Sequence, residues 1–171
     1  MGGIITSGRG STNLMNSPRP EGDPNAAKES WEEIRKVGVD KVGVAVFEKL
    51  FHDDPESFQM FKTFRDDPNW KENKGFKSHS RLVMNVIGGA VAKDQGDEEL
   101  RKIMLTIGSA HAAFAIKDIH FTIMRNELFV QLQLHLGSKL TPEVKAVWEH
   151  AYDAFVRAMK YAMTSGPVKQ H

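Results

Sequence analysis

The sequence contains no cysteine among its 171 residues, which excludes disulfide bonds and metal sites built on thiolates. Its charges almost cancel, with 23 Lys and Arg against 22 Asp and Glu, and it has no basic run or basic aromatic patch. This balance argues against nucleic acid as a partner. No apolar run reaches the roughly 18 residues needed to cross a bilayer. Since the N-terminus also lacks the basic start and apolar core of a secretory signal, we expect a cytoplasmic protein.

Residues 1–24 are rich in Gly, Ser, Pro and Asn and show no periodicity, which predicts a flexible N-terminal tail. The first six residues fit the M-G-x-x-x-[ST] pattern for N-myristoylation of Gly2. The alternative is an unmodified tail of small residues. One myristoyl chain binds a membrane only marginally, and there is no cysteine for a second acyl group. If Gly2 is acylated, we expect weak, reversible attachment at the inner face of the plasma membrane.

The rest of the chain shows helical periodicity, and its length and 40% hydrophobic content suit one domain with a core. We predict helices over 25–37, 40–52, 76–92, 99–113, 119–136 and from 142 onwards. Asn25 is the expected N-cap of the first helix, while Pro55 and Pro142 suit first helical positions. The fifth helix is apolar nearly all round, which predicts a buried central helix. With no strand predicted, the fold class is all-α: one domain over 25–164, then a short tail over 165–171.

Two histidines occupy positions where helical spacing would place core residues. His79 shares an apolar face with Phe76 and Val83, and His111 shares another with Met104 and Ile107. Neutral imidazole is the commonest protein ligand for transition metals. Two histidines make a poor zinc site, which takes about four ligands, but they suit haem, where the porphyrin supplies four. The alternative for each is a hydrogen-bonded core histidine. The other five are expected at the surface: His52, His120, His135, His150 and His171.

A flat macrocycle also needs apolar and aromatic walls, and the predicted helices offer them. The candidate wall residues are Phe47, Phe61, Val83, Ile107, Ile116 and Phe121. No competing constellation is present, since the sequence has no G-x-S-x-G elbow and no Gly-rich phosphate or dinucleotide motif. From the residues themselves, haem binding and a purely structural role for the two histidines remain open.

At this point the sequence resembles the globin family. Pro55, six residues before Phe61, resembles the globin corner that carries the haem-stacking phenylalanine, and F-K-S-H ending at His79 resembles the distal helix. The run I-G-S-A-H ending at His111 resembles the proximal helix. The likeness continues through Trp31, Phe121, Leu140-Thr141-Pro142, Trp148 and Tyr152. Within the family, the pattern is most similar to neuroglobin and to the acylated globin X group.

The resemblance implies a three-over-three helical sandwich around non-covalently bound haem b. It implies that His111 is the proximal iron ligand and that His79 is the distal histidine, expected as the sixth ligand. The ligands implied are O2, CO and NO, in oxygen binding, storage, transport or sensing. The alternatives are a redox role with a partner reductase (NO dioxygenation, nitrite reduction or electron transfer) and a haem-free interaction module. The monomeric or oligomeric state stays open.

Departures from the family pattern limit what carries over. The absence of cysteine removes the disulfide control of neuroglobin, and Gly3 replaces the cysteine often found after Gly2 in globin X. Leu82 stands where neuroglobin has a lysine beside a haem propionate, so Lys77 and Arg81 are the candidate substitutes.

Overall fold

The computed structural model describes residues 18–93 and 97–165. Within these residues the chain forms seven α-helices and no strand. The helices are Pro24–Val37 (α1), Val39–Asp53 (α2), Pro55–Gln59 (α3), Lys74–Ala92 (α4), Glu98–Ala110 (α5), Asp118–Leu136 (α6) and Pro142–Ser165 (α7). Short 3-10 turns lie at Trp70–Glu72 and Gly137–Lys139. The predicted all-α class is therefore confirmed. None of these helices is long and apolar enough to cross a membrane.

Polar caps determine where most of the helices begin. Asp23 caps α1 through the N–H of Asn25 (2.8 Å), so the predicted N-cap, Asn25, lies inside the helix. Asn73 caps α4, Asp97 caps α5 and Thr141 caps α7, each accepting a hydrogen bond from a backbone N–H of the first turn. These bonds satisfy amide groups that have no partner within the helix.

The helices pack as two layers, with α1, α4 and α5 crossing α2, α6 and α7. Glycine allows the close crossing of α2 and α4, because a Cβ on Gly43 would lie 2.8 Å from the carbonyl oxygen of Ser80. Trp148 of α7 is fully buried and donates its Nε1–H to Ser30 Oγ of α1 at 2.9 Å. These contacts fix the layers against each other around an apolar core.

Two predicted helix properties are wrong. The helix α6 is not buried all round, since Val130 and Leu134 are 57% and 69% exposed. Its core-facing positions repeat every four residues (Met124, Leu128, Leu132 and Leu136), and its solvent-facing side carries Val130 and Leu134 among polar residues. The helix α5 ends at Ala110 and not at Ala113, because the chain turns at His111, which is its C-cap.

The predicted acylation site at Gly2, most of the expected tail over 1–24 and nearly all of the tail over 165–171 lie outside the described residues. The part of the N-terminal segment that is described contacts the end of α4. Arg19 donates to the carbonyl oxygens of Val91 at 2.8 Å and Lys93 at 3.2 Å. A guanidinium there suits the negative end of the helix dipole.

Candidate functional site

A partly open cavity lies between α2, α4, α5, α6 and α7. Its lining is almost entirely apolar, apart from three histidines: Phe47, Leu50, Met60, Phe61, His79, Val83, Ile107, His111, Ile116, His120, Phe121, Met124, Phe155 and Met159. The structure thus brings together both predicted histidines and all six predicted wall residues.

A larger cleft lies between α1 and the start of α7, and its lining differs in character. Charged side chains line it, among them Glu33, Lys36 and Lys139, and Glu33 pairs with both lysines. It lacks the aromatic walls and the facing histidines of the smaller cavity. The cavity that contains His79 and His111 is therefore the candidate site.

His79 and His111 face each other across the cavity, with ring centroids 6.0 Å apart and planes inclined at 44°. His111 Nδ1 lies 2.7 Å from the carbonyl oxygen of Ile107. Because a carbonyl only accepts hydrogen bonds, Nδ1 must carry the proton. That assignment leaves Nε2 of His111 with a lone pair that can bind a metal ion or another Lewis acid. The C-cap position of His111, where the helix turns, holds the ring in this orientation.

His79 is enclosed by aromatic rings on the opposite wall. Its ring centroid lies 5.2 Å from that of Phe47 and 5.4 Å from that of Phe61, both in edge-to-face contact. Burial lowers the pKa of His79 to about 4, and the nearby His111 lowers it further by charge repulsion. His79 is therefore neutral near pH 7, which is the form that can bind a metal.

The wall residue Phe61 belongs to a cluster of phenylalanines at the corner after α3. Its ring contacts Phe47 and Phe51 edge to face and lies 4.9 Å from that of Phe64. On the other side of the cavity, Tyr152 of α7 donates its hydroxyl to the carbonyl oxygen of Phe121 at 2.7 Å. Burial raises the pKa of Tyr152, so the hydroxyl keeps its proton for this bond. Two wall residues are thus fixed by contacts outside the cavity.

The prediction that His120 lies at the surface is wrong. His120 is 4% exposed and lines the cavity, with Nε2 2.7 Å from Oδ2 of Asp54 and Nδ1 accepting the N–H of Lys117 at 3.2 Å. A signal was present in the sequence, since His120 stands four residues before Met124 on the core-facing row of α6. Of the other histidines, His52 and His135 are exposed, as predicted, and His150 is half-buried. The remaining one, His171, lies outside the described residues.

Sequence reasoning also missed five apolar lining residues: Leu50, Met60, Met124, Phe155 and Met159. Phe155 and Met159 lie one turn apart on the buried face of α7. Of the two predicted substitutes for the lysine beside a haem propionate, Lys77 pairs with Glu72, and Arg81 lies 3.9 Å from Asp40. Leu82 is 46% exposed.

Comparison with known proteins agrees with the family predicted from the sequence. The sequence model of the family described as Globin matches residues 44–159. The chain is 28% identical to a neuroglobin of Tetraodon nigroviridis over 140 residues, covering 80% of this chain and 87% of the relative. It is 26% identical to an anaerobic nitrite reductase of Physcomitrium patens over 140 residues, covering 80% of this chain and 77% of the relative. A leghemoglobin of Medicago sativa is 24% identical over 135 residues, covering 79% of this chain and 91% of the relative.

Among solved structures, the fold is similar to that of hemoglobin from the botfly Gasterophilus intestinalis. The TM-score is 0.60 at 18% sequence identity, and the match covers 80% of this chain and 96% of the other. At this identity the likeness concerns the fold.

Proposed function

Because the chain belongs to the globin family, we propose that it is a haem protein that binds O2, CO and NO reversibly, with His111 and His79 as the two axial iron ligands when no diatomic ligand is present. The observation that carries the proposal is the pair of histidines facing each other across an apolar cavity. Oxygen binding, storage or sensing is the function that we infer from it.

The residues present fit haem b. The aromatic and aliphatic walls suit an apolar macrocycle, and the cavity offers a metal one imidazole from each side. A metal bound there would be held by one nitrogen from each of the two rings, whose centroids are 6.0 Å apart. When bound, haem would supply the iron that takes up diatomic ligands.

His111 is the proposed permanent ligand. Its Nδ1–H donates to the carbonyl oxygen of Ile107, which holds the ring in place and increases the electron density on Nε2. The same bond selects the tautomer that a metal needs, so no proton has to move before binding.

His79 is the proposed exchangeable ligand. Its neutral ring competes with external ligands for the same position, so binding requires His79 to move aside. The apparent affinity then falls by the fraction of molecules in which it has moved. Phe47 and Phe61 contact the ring and restrict this movement, and they also keep water out of the cavity. In the alternative, His79 stays off the iron and donates a hydrogen bond to the bound ligand.

A redox role is the second candidate, favoured by the similarity to the anaerobic nitrite reductase. Reduction of nitrite to nitric oxide consumes one electron and two protons and releases water, so a partner reductase must supply the electron. Under anaerobic conditions, addition of nitrite to the reduced protein should produce nitric oxide at a rate that rises when His79 is replaced by Leu. No nitric oxide above the level given by free haem would exclude this role.

We also propose weak membrane attachment through myristoylated Gly2. Intact-mass measurement of the protein made in a eukaryotic cell should show the mass of one myristoyl group on Gly2. A Gly2→Ala variant should lack that mass, and an unmodified wild-type N-terminus would exclude the attachment.

Titration of the purified chain with hemin tests the main proposal. The wild-type protein should develop a sharp Soret band that saturates at one haem per chain. His111→Ala should weaken binding by at least about tenfold, since it removes the ligand on which the site depends. His135→Ala, at an exposed histidine, is the matched control and should bind like the wild type. Equal titration curves for the two variants would contradict the role of His111.

A further inference from the structure

A carboxylate and an imidazole meet at the wall of the cavity, apart from the two facing histidines. His120 lies in the first turn of α6, and Asp54 lies at the corner between α2 and α3. Nε2 of His120 is 2.7 Å from Oδ2 of Asp54, although the oxygen lies out of line with the ring N–H. The side chain of His120 is 5% exposed and that of Asp54 is 23% exposed. The contact therefore joins the inner wall of the cavity to its edge.

Each ring nitrogen of His120 has a polar neighbour, although only Nδ1 makes a well-aligned hydrogen bond. Nδ1 accepts the backbone N–H of Lys117 at 3.2 Å, so in the neutral ring the proton is on Nε2, next to Asp54. No lone pair of His120 is left for a metal. His120 is consequently not a third candidate metal ligand. Its contacts with Asp54 and Lys117 indicate a role other than metal binding. Through Lys117 it also contacts the segment that follows His111.

Asp54 is held in place by its own backbone. Its N–H donates to the carbonyl oxygen of Leu50 at 2.8 Å, and its carbonyl oxygen accepts from the N–H and the hydroxyl of Ser57 at 3.0 and 2.6 Å. The chain then runs through α3 to the wall residue Phe61. The described helices α3 and α6 share little direct packing, whereas the Asp54–His120 contact joins the residue before α3 to the first turn of α6.

We propose that Asp54 and His120 form a latch that keeps the corner leading to Phe61 against the start of α6 and thereby slows the escape of haem. The latch links the two segments that border the cavity: the corner with Phe61 on one side, and the chain between His111 and α6 on the other. Opening this border requires the imidazole to leave the carboxylate, and the buried Nε2 of His120 then loses its carboxylate neighbour. This inference rests on the proposed binding of haem.

The test measures the rate at which the haem-loaded protein transfers its haem to excess apomyoglobin. Asp54→Ala and His120→Phe should each accelerate the loss by about tenfold, and the double variant should be no faster than either single variant, because they remove the same contact. Asp54→Asn keeps an oxygen acceptor and should stay within about threefold of the wild type. The matched control is Asp53→Ala, which removes an adjacent carboxylate paired with the exposed His52 at 2.9 Å and should leave the rate unchanged.

Two results would overturn the latch: rates for Asp54→Ala and His120→Phe equal to that of Asp53→Ala, or a double variant whose acceleration is the product of the two single effects. A second measurement does not need haem. In the haem-free chain, hydrogen exchange of residues 54–61 and 116–121 should be faster in Asp54→Ala than in Asp53→Ala, and equal exchange would refute the latch. A wild-type chain that takes up no haem would refute the proposed function, and the exchange result would then decide whether this pair holds the corner.

Discussion

Acid should destabilise the haem-free chain through His79. The pKa of this side chain is about 4 in the folded protein, against an ordinary value of 6.5, because folding buries the ring. Between these two values the unfolded chain takes up a proton that the folded chain does not. The stability contributed by a neutral His79 is therefore complete above about pH 6.5 and is lost as the pH falls towards 4.

The magnitude follows from the two pKa values. Over the full interval the loss amounts to about 3 kcal/mol, and between pH 7 and pH 4.5 it is about 2 kcal/mol. That is a large share of the roughly 5–15 kcal/mol by which a domain is stable. Carboxylates with lowered pKa values, such as Asp67 and Asp97, also lose favourable contacts in acid, so the wild-type curve contains more than one contribution.

The comparison with His79→Leu isolates the effect. Urea unfolding of the haem-free proteins, followed by tryptophan fluorescence at pH 7 and pH 4.5, should show a free energy of unfolding that falls about 2 kcal/mol less in His79→Leu than in the wild type. His135→Leu, which removes an exposed histidine, should follow the wild type. Parallel curves for the wild type and His79→Leu would refute the reasoning, because they would mean that folding does not keep His79 neutral.

Two further predictions concern packing and hydrogen bonding. Gly88→Ala should cost about 1–3 kcal/mol, since its Cβ would lie 2.4 Å from the ring of Trp31, whereas Gly89→Ala, whose nearest contact would be 3.6 Å, should gain about 0.5–1 kcal/mol. Equal urea midpoints for these two variants would contradict the close approach of α1 and α4. Tyr152→Phe should cost about 1–2 kcal/mol by removing the bond to the carbonyl oxygen of Phe121. An unchanged free energy of unfolding would show that this bond adds nothing to stability.

The family and the all-α fold were predictable because their signals are local and repeated. Apolar residues at helical spacing marked the core faces, and Pro55 and Pro142 marked the starts of two helices. His79 and His111 were recognisable for the same reason, since a histidine among apolar residues of one face stands out. The family prediction is confirmed by the match over residues 44–159. The roles of the two histidines stay predictions.

What sequence reasoning missed depends on contacts between distant segments. His120 was placed at the surface because it is polar and close to a helix start, but its partner Asp54 is 66 positions earlier in the chain. The exposed face of α6 was misjudged because Val130 and Leu134 are as apolar as the core residues beside them. Periodicity identifies a face only where the opposite face is polar.

The absorption spectrum of the ferrous, ligand-free protein tests the central claim most directly. With both His79 and His111 on the iron, the wild type should show sharp, split visible bands, and His79→Leu should show a single broad band of five-coordinate iron. A single broad band in the wild type would contradict iron ligation by His79. The absence of any Soret band after addition of hemin would contradict haem binding itself.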